Sequence, residues 1–177
     1  ISSIIPSYCK DNSQIISFYN AIINSVNDIP FFPYIIGKDN PYKLMQNLIH
    51  IPQVYGTKFT SSNIYELKKI IDLKDEKWYI FYGMDEQYLY GLMSGCIGHI
   101  GSTLNFMPGV YNKIRKYFLN GDIVKAQDLQ NNANKLTSIL ISFGFEGALA
   151  EILRLIGFNC GTPRHPHNSL SINKNNK

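Results

Sequence analysis

Few cysteines and no long apolar run are the first things to notice in this chain. Cys9, Cys96 and Cys160 are odd in number and widely spaced. They build neither a disulfide framework nor a zinc pattern, so a reducing, cytoplasmic compartment is expected. No apolar stretch approaches the roughly 20 residues of a membrane-spanning helix, so no membrane partner is expected. Positive charge is thin: the net charge is +4 and the lysines are scattered, with no basic run longer than a pair. That argues against a nucleic-acid partner. No Gly-x-Gly-x-x-Gly follows the first strand, which counts against a dinucleotide fold. No internal repeat is present. His165 and His167 flank Pro166 in the tail and are not read as a metal site, and no cofactor is expected. The opening run Ile1-Ser2-Ser3-Ile4-Ile5-Pro6 has no initiator methionine and no signal-type stretch. It reads as an interior strand, and the chain as a fragment whose earlier strands would lie before Ile1.

What is present is a globular composition: 177 residues, 45% hydrophobic and 17% charged. That is enough for one domain with a real core. Strand-like runs at 1–6, 31–36, 54–60, 78–82 and 97–101 alternate with helical periods at 13–26, 41–49, 63–71 and 86–94. Asn40 and Asn63 are placed to cap the second and third helices, Pro41 fits a first turn, and Gly95 closes the fourth. Strands alternating with helices predict an α/β fold with a parallel sheet. Short strands buried on both faces fit a (β/α) barrel, with an open doubly wound sheet as the alternative. Helices follow at 108–119, 123–143 and 148–156, with a turn over Gly144-Phe145-Glu146-Gly147. The reading divides the chain into a barrel part (1–105), C-terminal helices (106–158) and a Pro- and Asn-rich tail (159–177). Asn173–Lys177 is expected to lack fixed structure.

Lys58 stands in the middle of the third strand, Val54-Tyr55-Gly56-Thr57-Lys58-Phe59-Thr60. An ammonium on a packed strand is costly unless it is paired or working. Burial favours the neutral amine, which can attack a carbonyl. An isolated strand lysine is more often solvated on an edge, so its neighbours decide. In parallel barrels chemistry gathers at the C-terminal strand ends. Those ends carry Tyr34 on the second strand, Lys58 and Thr60 on the third, Gly83-Met84-Asp85-Glu86 after the fourth and Gly101-Ser102-Thr103 after the fifth. Each has an ordinary reading. Tyr34 is one of 12 tyrosines, Asp85 and Glu86 suit a helix N-terminus, and Ser102 or Thr103 suits a cap. His99 reads as a core group or a support for its neighbours. Together, an amine and a phenol on adjacent strands are what a Schiff-base aldolase needs. The amine forms an iminium that accepts electrons, and the phenol relays protons.

At these residues the chain resembles the N-acetylneuraminate lyases (sialic acid aldolases), within the dihydrodipicolinate synthase superfamily of pyruvate-dependent class I aldolases. The resemblance runs from Ile1 to about Pro166. Val54–Thr60 resembles the Schiff-base strand. Tyr82-Gly83-Met84-Asp85-Glu86 resembles a Gly-x-Asp-Glu motif, and Ile100-Gly101-Ser102-Thr103-Leu104-Asn105 a Gly-Ser-Thr-x-Asn motif. Gly121–Gln130 is similar to the family's long helix, and Gly161-Thr162-Pro163-Arg164-x-Pro166 to its proline-rich exit. The implied fold is a (β/α)8 TIM barrel, present here as strands four to eight plus a C-terminal helical extension. The implied reaction is reversible cleavage of N-acetylneuraminate to N-acetylmannosamine and pyruvate, with a homo-tetramer as the implied assembly. Lys58 would form the imine and Tyr34 would shuttle protons, while Thr60, Gly83, Asp85, Glu86 and Ser102 would bind the polyhydroxylated substrate. Two departures are visible. The family's Tyr-x-Ile-Pro loop is replaced by Tyr34-Ile35-Ile36-Gly37-Lys38, several residues shorter. The segment that holds the substrate carboxylate would lie before Ile1. Another 2-oxo acid aldolase on the same scaffold (a 2-keto-3-deoxy sugar acid aldolase or dihydrodipicolinate synthase) and a non-catalytic assembly partner are the alternatives.

Overall fold

The structure, a computed structural model, describes residues 1–26, 28–74 and 78–170. The expected unstructured end, Asn173–Lys177, lies outside the described residues. Two compact units divide at Gly101 and Ser102.

The first unit alternates strand and helix: β1 (Ser2–Ile4), α1 (Asn12–Ser25), β2 (Phe32–Ile36), α2 (Pro41–Leu48), β3 (Gly56–Thr60), α3 (Ile64–Ile71), β4 (Tyr79–Tyr82), α4 (Tyr88–Ser94) and β5 (Gly98–His99). The strands form one sheet in the order β1-β2-β3-β4-β5, every pair parallel. This is the α/β arrangement that the alternating pattern predicts. Side-chain ends mark the helices. Asp11, Asn40 and Asn63 accept hydrogen bonds from the amides of Gln14, Lys43 and Glu66, each capping its helix. The Asp11 cap was not signalled by periodicity. The fourth helix begins with a 3₁₀ turn, Asp85–Gln87, before the α-helix starts at Tyr88.

Strand side chains alternate between two faces. Ile35, Thr57, Phe59, Ile80 and Tyr82 point to one side and are buried. With Ile15, Tyr19, Leu44, Leu48, Leu67 and Ile70 from the helices they form the core. Thr57 belongs to this face because its hydroxyl donates to the Pro33 carbonyl at 2.6 Å. Trp78 donates its indole N–H to the Ile70 carbonyl at 2.8 Å. Buried polar atoms on this face therefore have partners. The opposite face carries Phe32, Tyr34, Lys58, Thr60 and Phe81, all half-buried.

The second unit contains a 3₁₀ turn (Thr103–Asn105) and helices α5 (Pro108–Leu119), α6 (Ile123–Ser142) and α7 (Phe145–Leu155). Helices α5 and α6 pack together, as do α6 and α7. Asp122 caps α6 through the Lys125 amide and receives the Lys125 ammonium at 2.6 Å, which holds its carboxyl below the usual range. The turn expected over 144–147 is confined to Gly144, and Phe145–Gly147 is already helical. Glu146 in the first turn suits the helix N-terminus, a signal that two flanking glycines obscured. Among the described residues no single helix is long and apolar enough to cross a membrane.

Candidate active site

Strand register builds the site. Tyr34 on β2 and Lys58 on β3 are direct partners across the sheet. Two hydrogen-bonded neighbours in register put their side chains on the same face. The Lys58 ammonium nitrogen accordingly lies 3.9 Å from the Tyr34 ring centroid, over its face. Among the described residues no carboxylate comes within ion-pair distance of Lys58. The lysine is half-buried, less enclosed than its strand pattern predicts. The face it occupies is opposite the one that α1, α2 and α3 cover.

Thr60 follows two residues on and shares that face. Its hydroxyl oxygen is buried and, among the described residues, makes no hydrogen bond. Gly83, just past β4, approaches from the other side. Its amide donates to the Phe59 carbonyl at 2.8 Å. A methyl group added at Gly83 would collide with the Thr60 hydroxyl and come within 3.3 Å of Lys58 Cε. Only glycine lets the backbone pass so close to these two side chains. Tyr34, Lys58, Thr60 and Gly83 are thus brought together.

Asp85 goes elsewhere. Its carboxylate Oδ1 lies 2.5 Å from His99 Nε2, and the two side chains are 8% and 2% exposed. The Tyr88 ring packs against the imidazole at 4.9 Å between centroids, tilted by 50°. Gly101 closes over the pair: a methyl group there would strike Asp85 Oδ1 and reach 2.7 Å from His99 Nε2. His99, read from sequence as a core or supporting group, is therefore the direct partner of a motif carboxylate. Glu86 is half-buried on the 3₁₀ turn, near enough to the Tyr82 phenol to add to the upward push that burial gives it. The Tyr82 hydroxyl lies 2.8 Å from the Ser61 carbonyl and 2.6 Å from Gln87 Oε1, tying the ends of β3 and β4 together. Ser102 is exposed and opens the second unit, where its side chain makes no capping bond. Its carbonyl accepts from Asn105 at 2.8 Å.

A cleft of about 450 Å³ opens at the ends of β2 and β3, lined in part by Lys38, Asp39, Thr60, Ser61 and Ser62. The connection between β2 and α2 forms one of its walls. Sequence reading missed this cleft. Among the described residues no three His, Cys, Asp or Glu side chains gather as a metal site.

The amine, the phenol ring and the unpartnered hydroxyl lie on one sheet face. Comparison with known proteins gives this arrangement a family. The model of the dihydrodipicolinate synthetase family matches residues 1–177. The chain belongs to that family. It is similar to the N-acetylneuraminate lyases of Citrobacter koseri and Escherichia coli (strain K12 / DH10B). Each is 32% identical over 158 residues, covering 86% of this chain and 53% of the relative. The chain therefore spans about half the length of the curated relatives it matches. Among solved structures it is similar to CdNal of Clostridium difficile in complex with mannosamine. That match has 28% identity and a TM-score of 0.89, over 97% of this chain and 60% of that one. It is also similar to the Ruminococcus gnavus sialic acid aldolase, at 26% identity and a TM-score of 0.89, over 96% and 59%. That aldolase has also been solved as a catalytic lysine mutant. The fold of this family member is the C-terminal part of a (β/α)8 barrel, strands four to eight, with C-terminal helices.

Proposed function

We propose that this chain carries the Schiff-base centre of an N-acetylneuraminate lyase, with Lys58 as the nucleophile. The observation that carries the reading is the Lys58 amine on the sheet face opposite α1, α2 and α3, directly over Tyr34 and without a carboxylate partner among the described residues. An amine held this way, with no carboxylate beside it among the described residues, is available to a ketone.

The chemistry is a retro-aldol cleavage. The Lys58 nitrogen adds to C2 of the open-chain sugar acid, water leaves, and an iminium forms. A base takes the proton of the C4 hydroxyl, the C3–C4 bond breaks, and its electron pair flows into the iminium to give an enamine. N-Acetylmannosamine departs as the aldehyde. Protonation at C3 and hydrolysis then release pyruvate and the free amine. Tyr34 is the group proposed to move protons to and from the hydroxyl and C3. Thr60 offers an unpartnered hydroxyl beside the lysine. Gly83 lets the backbone, with its polar groups, pass close beside Lys58 and Thr60. Asp85, Glu86 and Ser102 are the remaining groups proposed for the sugar side. The relatives' names favour N-acetylneuraminate over other 2-oxo acids, and the mannosamine bound to CdNal is of the same amino-sugar class. Assembly as a homo-oligomer, a tetramer by resemblance, and a cytoplasmic location belong to the same proposal. The three free cysteines suit a reducing compartment.

Incubation with pyruvate and sodium borohydride tests it. The expected result is a covalent pyruvate adduct on the peptide that holds Lys58, absent in Lys58→Met. An unlabelled wild-type chain would favour the non-catalytic reading. That reading draws support from exposed apolar side chains on the strands, Ile4 at 52% and Ile36 at 41%.

A further inference from the structure

We propose that Lys58 also decarboxylates 2-oxo acids that carry a second carboxylate on C3, the class to which oxaloacetate belongs. The inference rests on the imine reading of Lys58 above and is independent of the sugar side of the site.

Strand register sets the surroundings of the amine. Ile4, Tyr34, Lys58, Phe81 and Gly98 form one row across β1 to β5. Lys58 is the single charged member of that row, and its direct partners on either side are aromatic. The Tyr34 ring lies 3.9 Å from the lysine nitrogen. The Phe81 ring meets Phe32 across β3, 5.6 Å between centroids and 69° between planes. None of the five strands contains an aspartate or a glutamate. Among the described residues no carboxylate lies within ion-pair distance of Lys58.

Such a row suits a substrate that brings its own anion. The Lys58 nitrogen adds to C2 of the keto acid, water leaves, and an iminium forms. The C3–C4 bond then breaks, its electron pair flows into the iminium, and C4 leaves as carbon dioxide. The enamine takes a proton at C3, and hydrolysis releases pyruvate and the free amine. Oxaloacetate and one proton become pyruvate and carbon dioxide, and no other co-reactant is consumed. The retro-aldol step breaks a C3–C4 bond in the same position relative to the iminium. Here the leaving group is already ionised, so no hydroxyl proton has to be removed and no sugar hydroxyl recognised. The step cancels a negative charge against the iminium, and an aromatic flank without carboxylates favours it relative to water.

The experiment gives oxaloacetate to the 177-residue chain and follows pyruvate by proton NMR. A chelator is present, since stray divalent cations decarboxylate oxaloacetate by themselves. Wild type is compared with Lys58→Met, whose remaining lysines report the background reaction of amines. Labelling of Lys58 by pyruvate and borohydride reports the imine centre in the same samples. Wild type should form pyruvate at least about tenfold faster than Lys58→Met. Wild type already reduced onto pyruvate at Lys58 should lose the activity in proportion to its labelling, a control that needs no substitution. A wild-type chain that labels with pyruvate but turns over oxaloacetate no faster than Lys58→Met overturns this inference and leaves the lyase reading standing. Activity that survives full labelling of Lys58 overturns it equally. A chain that neither labels nor turns over overturns both readings. Lys58-dependent turnover without cleavage of N-acetylneuraminate supports the inference and overturns only the sugar substrate.

Discussion

Replacing Lys58 with methionine separates a working lysine from a structural one. The substitution keeps an unbranched side chain of similar length and removes the ammonium. What is lost is the contact of the ammonium with the Tyr34 ring, 3.9 Å from nitrogen to centroid, worth about 0.5–1 kcal/mol at a half-exposed site. What is gained is relief from holding a half-buried charge with no carboxylate within ion-pair distance among the described residues, on the order of 1 kcal/mol or more. A methionine sulfur against Tyr34 also replaces part of the ring contact. The net change in unfolding free energy should therefore fall within about 1 kcal/mol of zero, on the stabilising side if on either. Urea unfolding followed by tryptophan fluorescence at Trp78 measures it, with the midpoint shifting at constant slope. Pyruvate labelling should vanish in the same variant. A loss above about 2 kcal/mol would mean that the lysine holds the fold together, and the inference from its unpaired charge would fail.

Three other outcomes follow from the geometry. Gly83→Ala should cost about 1–3 kcal/mol, because the new methyl strikes the Thr60 hydroxyl. In a Thr60→Ala background the cost should shrink by at least about 0.5 kcal/mol, and strict additivity of the two changes in a denaturation cycle would refute the contact. Asn63→Ala removes the acceptor for the Glu66 amide and should cost about 1 kcal/mol, a drop of about 2–4 °C in Tm by calorimetry. An unchanged Tm would remove the cap from the account of α3. Alkaline pH should unfold the protein early. Burial pushes the Cys96 thiol from 9.0 up to about 12 and raises the Tyr19 and Tyr82 phenols as well. Each group is neutral when protonated and holds its proton more tightly folded than unfolded. Stability is therefore full below pH 9 and is lost as pH rises toward 12, by up to about 4 kcal/mol from the thiol alone. Urea midpoints that stay flat from pH 8 to 11.5 would contradict the burial.

Much of this was legible in the residues. Helices between strands require parallel pairing, and sequential βα units place each strand beside the next, so Tyr34 beside Lys58 could be read before any register was known. The parity of β3 could be read too, with Phe59 buried and Lys58 and Thr60 opposite it. What could not be read was the destination of a side chain at a strand end. Nothing in periodicity tells Asp85 to turn onto His99 in β5, because Asp85 lies beyond the alternation of β4 and their contact depends on the close approach of Gly101. The start of α7 at Phe145 was hidden for a related reason. Gly144 and Gly147 both read as turn residues, yet only Gly144 carries a positive φ, at 88°.

The two faces of the sheet divide the work between stability and chemistry. On β3, Thr57 and Phe59 lie against the helices, one with its hydroxyl bonded and the other in the core. Lys58 and Thr60 lie on the opposite face with polar atoms that no described residue satisfies through a hydrogen bond or ion pair. A protein tolerates such atoms only where something offsets their cost. On the helix side that offset is present within the chain, so substitutions there should act on folding alone. On the other side the offset would come from a bound molecule, a keto acid at the amine and hydroxyls at Thr60. Ligand should then raise the stability of wild type more than that of Lys58→Met. The linkage is strict: a ligand that stabilises both chains equally is not bound at Lys58.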